Sequence, residues 1–212
     1  MYVVIIDYGT GNLKSVYRAL QHAGKNIKNL KIVISNSIEE IKIADRIILP
    51  GQGSYKQCVD SIIAIKGLWE TINNQVDIKK KPIFGICVGM QLFSIEGHEE
   101  EKTNGFGWIN GTVKKITSKS FSFKLPHIGW NNVKILNKKN IFNNIKNNSH
   151  FFFVHSYEFI TKEKNFILAT CDYGKEIIVS INKDNIFGTQ FHPEKSQENG
   201  IKLLSNFLNY NR

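Results

Sequence analysis

The chain has 212 residues, a formal net charge of +10 and a hydrophobic fraction of 42%. This hydrophobic fraction excludes an intrinsically disordered chain, and the length favours one domain with a sizeable core over two cramped ones. The lysines form short scattered runs rather than a continuous stripe, which favours a solvated surface over a nucleic-acid-binding face. The positive net charge is also compatible with an acidic or phosphorylated partner.

Cysteine usage indicates a reducing compartment. Cys58, Cys87 and Cys171 cannot all pair, and none of their spacings matches a zinc site or a redox motif, so we expect no metal and no cofactor. The N-terminal sequence MYVVIID lacks the basic start and the cleavage site of a signal peptide, and no stretch approaches the roughly 18 apolar residues of a membrane span. We therefore expect a cytoplasmic protein that binds neither membrane nor nucleic acid.

The first half of the chain alternates strand-like and helix-like segments. YVVIID predicts a short strand that ends at the turn YGTGN, and NLKSVYRALQHAG places apolar residues at helical spacing before a terminating glycine. The apolar runs KIVIS, RIILP and PIFGI follow, separated by polar or helical stretches. This order predicts a parallel sheet with crossover helices.

The second half, from about residue 105, is dominated by strand-like segments: WINGTVKKI, NNVKIL, HFFFVHSYEFI, NFILATCDY, EIIVSIN and IFGTQFH. Residues 137–149 predict a loop with a short helical turn, and a final helix is predicted from about Gln197 to Asn209. The expected fold class is α/β, with one domain over residues 1–212. Its central, mostly parallel sheet would be flanked by helices and extended by antiparallel strands.

Cys87 stands in GICVG, directly after the predicted strand PIFGI. Glycines on both sides of a residue at a strand-to-helix turn let it adopt strained dihedrals, as in the nucleophile elbow of serine hydrolases. The N-terminus of the following helix would lower the thiol pKa, and the amide of Val88 would point to where an oxyanion forms. The alternative is a cysteine buried beneath a strand end, a common environment for free cysteine.

The sequence FGTQFHPEKS near the other end of the chain supplies candidate partners for Cys87. His192 and Glu194 are two residues apart, so they would project to the same side of an extended strand end, with Pro193 fixing the turn. An imidazole that takes the thiol proton and a carboxylate that orients the imidazole are what a cysteine nucleophile requires. The alternative is a surface ion pair between His192 and Glu194.

A third motif, PGQGSY, follows the predicted strand RIIL. Two glycines at the C-terminal end of a strand allow the backbone to turn its amides toward a ligand. A plain turn is the alternative.

In this order and spacing, GICVGMQ, PGQG and FHPEKS resemble the class I (triad) glutamine amidotransferase family, over essentially the whole chain. Within the family, DYGTGN, PHIGWN, FVHSY and QFHPEKSQ are similar to one branch, the glutaminase subunits of imidazole glycerol phosphate synthases of histidine biosynthesis. Met90, where other branches usually carry histidine, suits this branch.

The resemblance implies a role for each motif. Cys87 would attack the side-chain amide of glutamine to give a glutamyl thioester, His192 would protonate departing ammonia and then activate water, and Glu194 would orient His192. The resemblance also implies that the oxyanion side is formed by Gly51, Gln52, Gly53 and the amide of Val88. The amino-acid end of the substrate would be held by Gln91, Glu99, Ser156 and Tyr157. The partner interface would include Asn12 and Lys195. For Glu99, an exposed acid in the EGHEEE run is the alternative.

The resemblance also implies a partner. A separate (β/α)8 synthase (cyclase) subunit would form a heterodimer with this chain and use its ammonia to make imidazole glycerol phosphate and an aminoimidazole ribonucleotide (AICAR). The alternatives are a paralogue that feeds another acceptor, such as an enzyme of surface-sugar amidination, a catalytically silent binding subunit, and a basic RNA-associated protein.

Three positions depart from the family pattern. Gln52 and Val88 stand where valine and leucine are common, and a role of the backbone survives both changes. Phe152 stands where tyrosine is common, so no hydroxyl is available there for a subunit contact. For His127 we expect a structural or interface role rather than a catalytic one.

Overall fold

The computed structural model of the chain describes residues 1–117, 124–138 and 140–210. The strands of these ranges are β1 (Tyr2–Ile6), β2 (Lys31–Ser35), β3 (Arg46–Leu49), β4 (Ile83–Ile86), β5 (Glu96–Glu99), β6 (Glu101–Asn104), β7 (Thr112–Lys115), β8 (His127–Ile135), β9 (Ser149–His155), β10 (Tyr157–Ile160), β11 (Ile167–Asp172), β12 (Glu176–Lys183) and β13 (Ile186–Thr189). The α-helices are α1 (Leu13–Ala23), α2 (Ile38–Ile43), α3 (Tyr55–Ala64), α4 (Leu68–Asn73), α5 (Val88–Gln91) and α6 (Gln197–Leu208).

Parallel strands form the centre of the sheet, in the order β2–β1–β3–β4–β13. The strands β3 and β4 are buried at every residue, and β1 is buried from its second residue onward. Strands covered by helices on both faces need continuous apolar runs rather than alternation, which explains YVVII, RIIL and IFGI. The predicted parallel sheet is confirmed.

Antiparallel strands extend this sheet from β13. The order continues β13–β12–β10–β7, and β5 joins β7 in parallel while pairing with β6 in an antiparallel hairpin. A branch runs from β12 through β11 and β8 to β9. The antiparallel second half is therefore confirmed, and with it the α/β fold class.

Some predicted elements differ from those observed. HFFFVHSYEFI is two strands, β9 and β10, because the chain turns at Ser156 and each half pairs with a different neighbour. The run EGHEEEKTN forms the hairpin β5–β6, which its composition did not predict. The predicted loop at 137–149 contains the helical turn Asn140–Phe142, with residue 139 outside the described residues.

The first and last helices are confirmed and pack against each other on one face of the sheet. Asn12 caps the N-terminus of α1 by accepting a hydrogen bond from the Ser15 amide. The end of α6 is tied to β3 because the side chain of Arg46 donates to the carbonyls of Leu208 and Tyr210, at 3.0 and 2.5 Å. None of the helices in the described ranges combines the length and apolar character needed to cross a bilayer.

The carboxyl ends of β1, β3, β4 and β13 lie at one edge of the sheet, since these strands are parallel neighbours. The motifs YGTGN, PGQG and QFHPEKS each follow one of these ends, and GICVG spans the end of β4. Ligand sites in open α/β sheets form at this edge. The topology therefore brings sequence-distant motifs into one place.

Candidate active site

Cys87 occupies a strained turn between β4 and α5. Its φ and ψ are +55° and −113°, a conformation that costs a residue with a side chain on the order of 1–3 kcal/mol. The turn is held by a 2.8 Å hydrogen bond from the Cys87 amide to the Thr189 carbonyl, and a side chain at Gly89 would clash with the carbonyl of Leu49. This is the backbone geometry that the flanking glycines predict.

The helix that follows the turn has a single turn, Val88–Gln91. It therefore supplies the unpaired backbone N–H groups of a helix N-terminus rather than a long helix dipole. Cys87 itself is 5% exposed, and its sulfur lies 3.6 Å from Nε2 of Gln190 and 3.9 Å from the carbonyl oxygen of Val154.

His192 and Glu194 form a buried pair, with 2.8 Å between Nδ1 and Oε1. Their side chains are 9% and 2% exposed, which excludes a surface ion pair. The expected strand geometry is wrong, because β13 ends at Thr189. Instead, the 3₁₀ turn Pro193–Lys195 folds the carboxylate back onto the ring, and the His192 amide donates to the Phe152 carbonyl at 2.9 Å.

Electrostatics favour a protonated His192. Burial lowers the pKa of this imidazole, but the neighbouring Cys87 and Glu194 raise it, and the pKa settles at about 10. Nε2 of His192 is buried and has no hydrogen-bond partner among the described residues. Nδ1 is engaged by Glu194, so Nε2 is the atom left to exchange a proton at the cavity.

A cavity of about 310 Å³ lies over the Cys87 turn. The predicted site residues that line it are Gly51, Gln52, Gly53, Cys87, Val88, Gln91, Glu99, Ser156, Tyr157, His192 and Lys195. Glu194 lies behind His192, and Asn12 caps α1 outside the cavity. A wider groove of about 690 Å³ between the ends of α1 and α6 carries no cysteine, so we place the chemistry in the smaller cavity.

The loop Pro50–Gly53 packs directly on the Cys87 turn. A Cβ at Gly51 would lie 2.8 Å from Cβ of Val88 and would clash with the amide of Gly89, so only glycine allows this approach. Gly53 has a φ of +98°, and the side chain of Gln52 is exposed. The loop residues Gly51–Gly53 and Val88 line the same cavity as Cys87.

The far wall of the cavity carries polar groups suited to an α-amino acid. Glu99 is half-buried, its Oε2 accepts from the Tyr55 amide at 2.8 Å, and burial raises its pKa. It therefore lines the cavity rather than standing on the surface. Gln91 uses its two Nε2 protons on the Tyr157 carbonyl, at 3.3 Å, and on Oε1 of Gln190, at 2.9 Å, which leaves its own Oε1 as the group available to a ligand.

Four residues of the site were not predicted as site residues. Gln190 is fully buried and reaches the Cys87 sulfur, while Val154, His155 and Pro126 line the cavity. Gln190 lies two residues before His192, which was the available signal in the sequence. In the described part of the chain, no group of three or more His, Cys, Asp or Glu side chains could hold a metal ion.

An exposed apolar surface adjoins the mouth of the cavity. Ile128 and Trp130, at alternate positions of β8, are 62% and 47% exposed, and the Trp130 ring meets Phe152 edge-on at 6.0 Å between centroids. Nζ of Lys195, which lines the cavity, lies 5.7 Å from the Phe152 centroid. We call these four residues, Ile128, Trp130, Phe152 and Lys195, the mouth surface.

A cysteine on a strained turn, beside a buried His–Glu pair at the edge of a parallel sheet, defines a class of cysteine-dependent enzymes that cleave amides. The glutamine amidotransferase class-I family matches residues 4–210. The chain is 50% identical over 209 residues to the imidazole glycerol phosphate synthase subunit HisH of Pelagibacter ubique (strain HTCC1062), covering 99% of this chain and 100% of that protein. It is 42% identical to the protein of the same name from Mesorhizobium japonicum, covering 99% of each.

The chain therefore belongs to the class-I glutamine amidotransferase family and, within it, to the family of these HisH subunits. Solved structures share the fold at lower identity. The crystal structure of a glutamine amidotransferase superposes with a TM-score of 0.71 at 17% identity, covering 97% of this chain and 96% of that one. The glutaminase domain of Trypanosoma brucei CTPS with bound acivicin gives a TM-score of 0.69 at 17% identity, covering 100% and 95%.

Proposed function

We propose that residues 1–212 act as one amidotransferase domain that hydrolyses L-glutamine to glutamate and ammonia at Cys87, and that the ammonia serves imidazole glycerol phosphate synthesis. The observation that carries this proposal is the strained Cys87 beside the buried His192–Glu194 pair, in a cavity whose far wall holds Glu99. With a volume of about 310 Å³ and both Glu99 and Cys87 in its lining, that cavity suits a small α-amino acid whose side-chain amide reaches the sulfur.

Substrate binding uses the far wall. The carboxylate of Glu99 and Oε1 of Gln91 offer acceptors for the ammonium group of glutamine. Backbone groups of Ser156 and Tyr157 complete this end of the cavity. The substrate is thereby fixed at one end, so that its amide carbon lies against the Cys87 sulfur in the geometry of attack.

The chemistry then proceeds in two steps. The thiolate of Cys87, whose proton has passed to His192, attacks the amide carbon, and backbone amides of the Gly51–Gly53 loop and of Val88 stabilise the oxyanion. Protonated His192 gives its proton to the leaving nitrogen, the C–N bond breaks, and ammonia and a glutamyl thioester remain. Neutral His192 next takes a proton from water, whose oxygen attacks the thioester; the C–S bond breaks, glutamate leaves, and the Cys87 thiolate and protonated His192 are restored.

A partner protein would receive the ammonia. The mouth surface supports this part of the proposal, since an exposed tryptophan and isoleucine beside a lysine are typical of a docking site with a polar rim. We propose that it binds a synthase (cyclase) subunit with a (β/α)8 barrel in a cytoplasmic heterodimer. Asn12 would contribute at the same end of the molecule, because Gly11 packs against Pro50 of the cavity loop.

The test is production of glutamate from glutamine by the purified chain mixed with its synthase partner. We expect hydrolysis by the wild type, none by Cys87→Ala, and full hydrolysis by Cys171→Ala, since Cys171 is a buried thiol of β11 away from the cavity. Equal hydrolysis by wild type and Cys87→Ala would contradict the proposed function.

A further inference from the structure

The loop Pro50–Gly53 has few means of fixing its own conformation. It contains two glycines, one exposed glutamine and one proline, so its side chains contribute no hydrogen bond that would orient its peptides. Yet the direction of its N–H groups decides whether it can stabilise an oxyanion. Groups beneath the loop must therefore set that direction.

Two buried side chains contact the loop from beneath. The hydroxyl of Tyr8 donates to the carbonyl of Pro50, and the thiol of Cys58 donates to the carbonyl of Gln52 at 3.5 Å. Tyr8 is 3% exposed and Cys58 is fully buried. Among the residues that the structure describes, these are the hydrogen bonds that reach the loop's carbonyls.

The two donors belong to one cluster. Tyr8 and Thr10 follow β1, Cys58 comes from α3, and Oγ1 of Thr10 lies 3.8 Å from the Cys58 sulfur. Burial raises the pKa of both Tyr8 and Cys58, so each keeps its proton and stays a donor at neutral pH. The cluster has no part in the steps assigned to Cys87 and His192.

We propose that Tyr8 and Cys58 are positioning residues that hold the oxyanion loop for catalysis, an inference that rests on the proposed glutaminase function. In a trans peptide the N–H points opposite to the C=O. Tying the carbonyls of Pro50 and Gln52 to the interior therefore turns the N–H groups of Gly51 and Gly53 away from the interior. The N–H groups of Gly51 and Gly53, both of which line the cavity, are thereby held where they can stabilise an oxyanion.

The alternative is that Tyr8 and Cys58 only fill space in the core. The two roles differ in what they change. Loss of packing lowers thermal stability, whereas loss of loop orientation lowers kcat while leaving KM for glutamine nearly unchanged, because the loop contacts the charge that develops in the transition state.

The experiment measures kcat, KM and the thermal midpoint for Tyr8→Phe and Cys58→Ala, using the full chain with its synthase partner. We expect kcat to fall about tenfold in each, a part of the roughly 10²–10³-fold loss that follows removal of an oxyanion donor, with KM within about twofold. Cys58→Ser keeps a donor and should restore kcat to within about threefold of the wild type.

Matched control variants remove a tyrosine hydroxyl or a buried thiol at positions that do not contact the Pro50–Gly53 loop. Tyr2→Phe deletes a hydroxyl bonded to Glu40, and Cys171→Ala deletes a buried thiol, so both should lower stability without lowering kcat. Unchanged kcat in Tyr8→Phe and Cys58→Ala, in an active wild type, would overturn this inference alone, and so would a Cys58→Ser variant no better than Cys58→Ala. A wild type that does not hydrolyse glutamine would overturn the proposed function together with it.

Discussion

Nδ1 of His127 lies 3.0 Å from Nε2 of His155, and the two rings form a directed hydrogen-bond chain inside the fold. The side-chain amide of Asn131 donates through Nδ2 to Nε2 of His127 at 3.2 Å. Because Nε2 of His127 is the acceptor, its Nδ1 carries the proton and donates to His155. His155 in turn donates through its own Nδ1 to the carbonyl of Tyr157, a residue that lines the cavity, at 2.8 Å. In this series of hydrogen bonds every ring nitrogen has a suitable donor or acceptor only while both histidines are neutral.

This neutrality predicts how stability depends on pH. Burial lowers the pKa of His127 to about 4, and burial above all lowers that of His155 to about 3. In the unfolded chain both titrate near 6.5, so unfolding takes up protons between about pH 6.5 and 4, and stability falls as pH falls through that window. Near pH 6.5 His192 contributes a slope of opposite sign, because its raised pKa keeps it protonated in the folded protein while the unfolded imidazole is only half protonated there; this contribution disappears as pH falls toward 5.

The measurement is the thermal midpoint at pH 6.5 and 5.0 for the wild type and His155→Gln. We expect the midpoint of the wild type to fall more between the two pH values than that of the variant, which has one proton fewer to take up. Replacement of the exposed His22 by Gln is the control and should leave the difference unchanged. Identical pH dependence in wild type and His155→Gln would show that the histidine pair is not held neutral.

Glu194→Gln tests the role of the carboxylate behind His192. The amide is nearly isosteric but uncharged, so it orients the ring poorly and no longer raises the pKa of His192. We expect kcat to fall by about 10² or more with KM for glutamine little changed, since the loss lies in the reacting geometry. A variant with raised KM and normal kcat would instead place Glu194 in substrate binding.

Glu99→Gln tests the substrate end of the cavity. The amide oxygen can still accept from the Tyr55 amide at the start of α3, but the charge that we propose attracts the substrate ammonium is lost. We expect KM for glutamine to rise about tenfold or more at nearly constant kcat. If KM stays unchanged, Glu99 serves only as an acceptor for the first amide of α3, that of Tyr55.

Trp130→Ala tests the mouth surface. A large exposed aromatic ring at the centre of an interface typically contributes enough that its truncation weakens binding at least tenfold. We expect this loss in the Kd for the synthase partner, measured by titration calorimetry, and a smaller one for Lys195→Ala. Ile63→Ala, which truncates a 58% exposed side chain of α3, is the control and should leave Kd unchanged. Normal binding by Trp130→Ala would remove the mouth surface from the interface.

The sequence predicted those elements whose local pattern matches their environment. The runs RIIL and IFGI predict buried strands because burial on both faces selects continuous apolar residues. The hairpin β5–β6 lacks any such pattern. Gly97 packs against the Tyr55 ring and β5 pairs with β7, and both contacts involve residues distant in the sequence. Lys102 and Glu96 make a 2.7 Å ion pair, which exists only once the hairpin has formed.

The same distinction holds at the site. Glycines around Cys87 predict a strained turn because they relieve crowding within the turn itself. The contacts of Gln190, Val154 and His155 with the cavity depend on how β9 and β13 are placed in the sheet, which no local pattern encodes. The His192–Glu194 contact arises from a 3₁₀ turn that a strand-like interpretation of IFGTQFH did not predict.

The most direct test of Cys87 as the nucleophile is covalent labelling by a diazoketone analogue of glutamine, with the modified residue identified by peptide mass spectrometry. The chain carries three buried thiols, Cys58, Cys87 and Cys171, of which only Cys87 lines the cavity that faces His192. We predict that the analogue modifies Cys87 alone, that excess glutamine protects it, and that Cys87→Ala is not labelled. Modification of Cys58 or Cys171, or labelling of Cys87 that glutamine does not slow, would contradict this assignment.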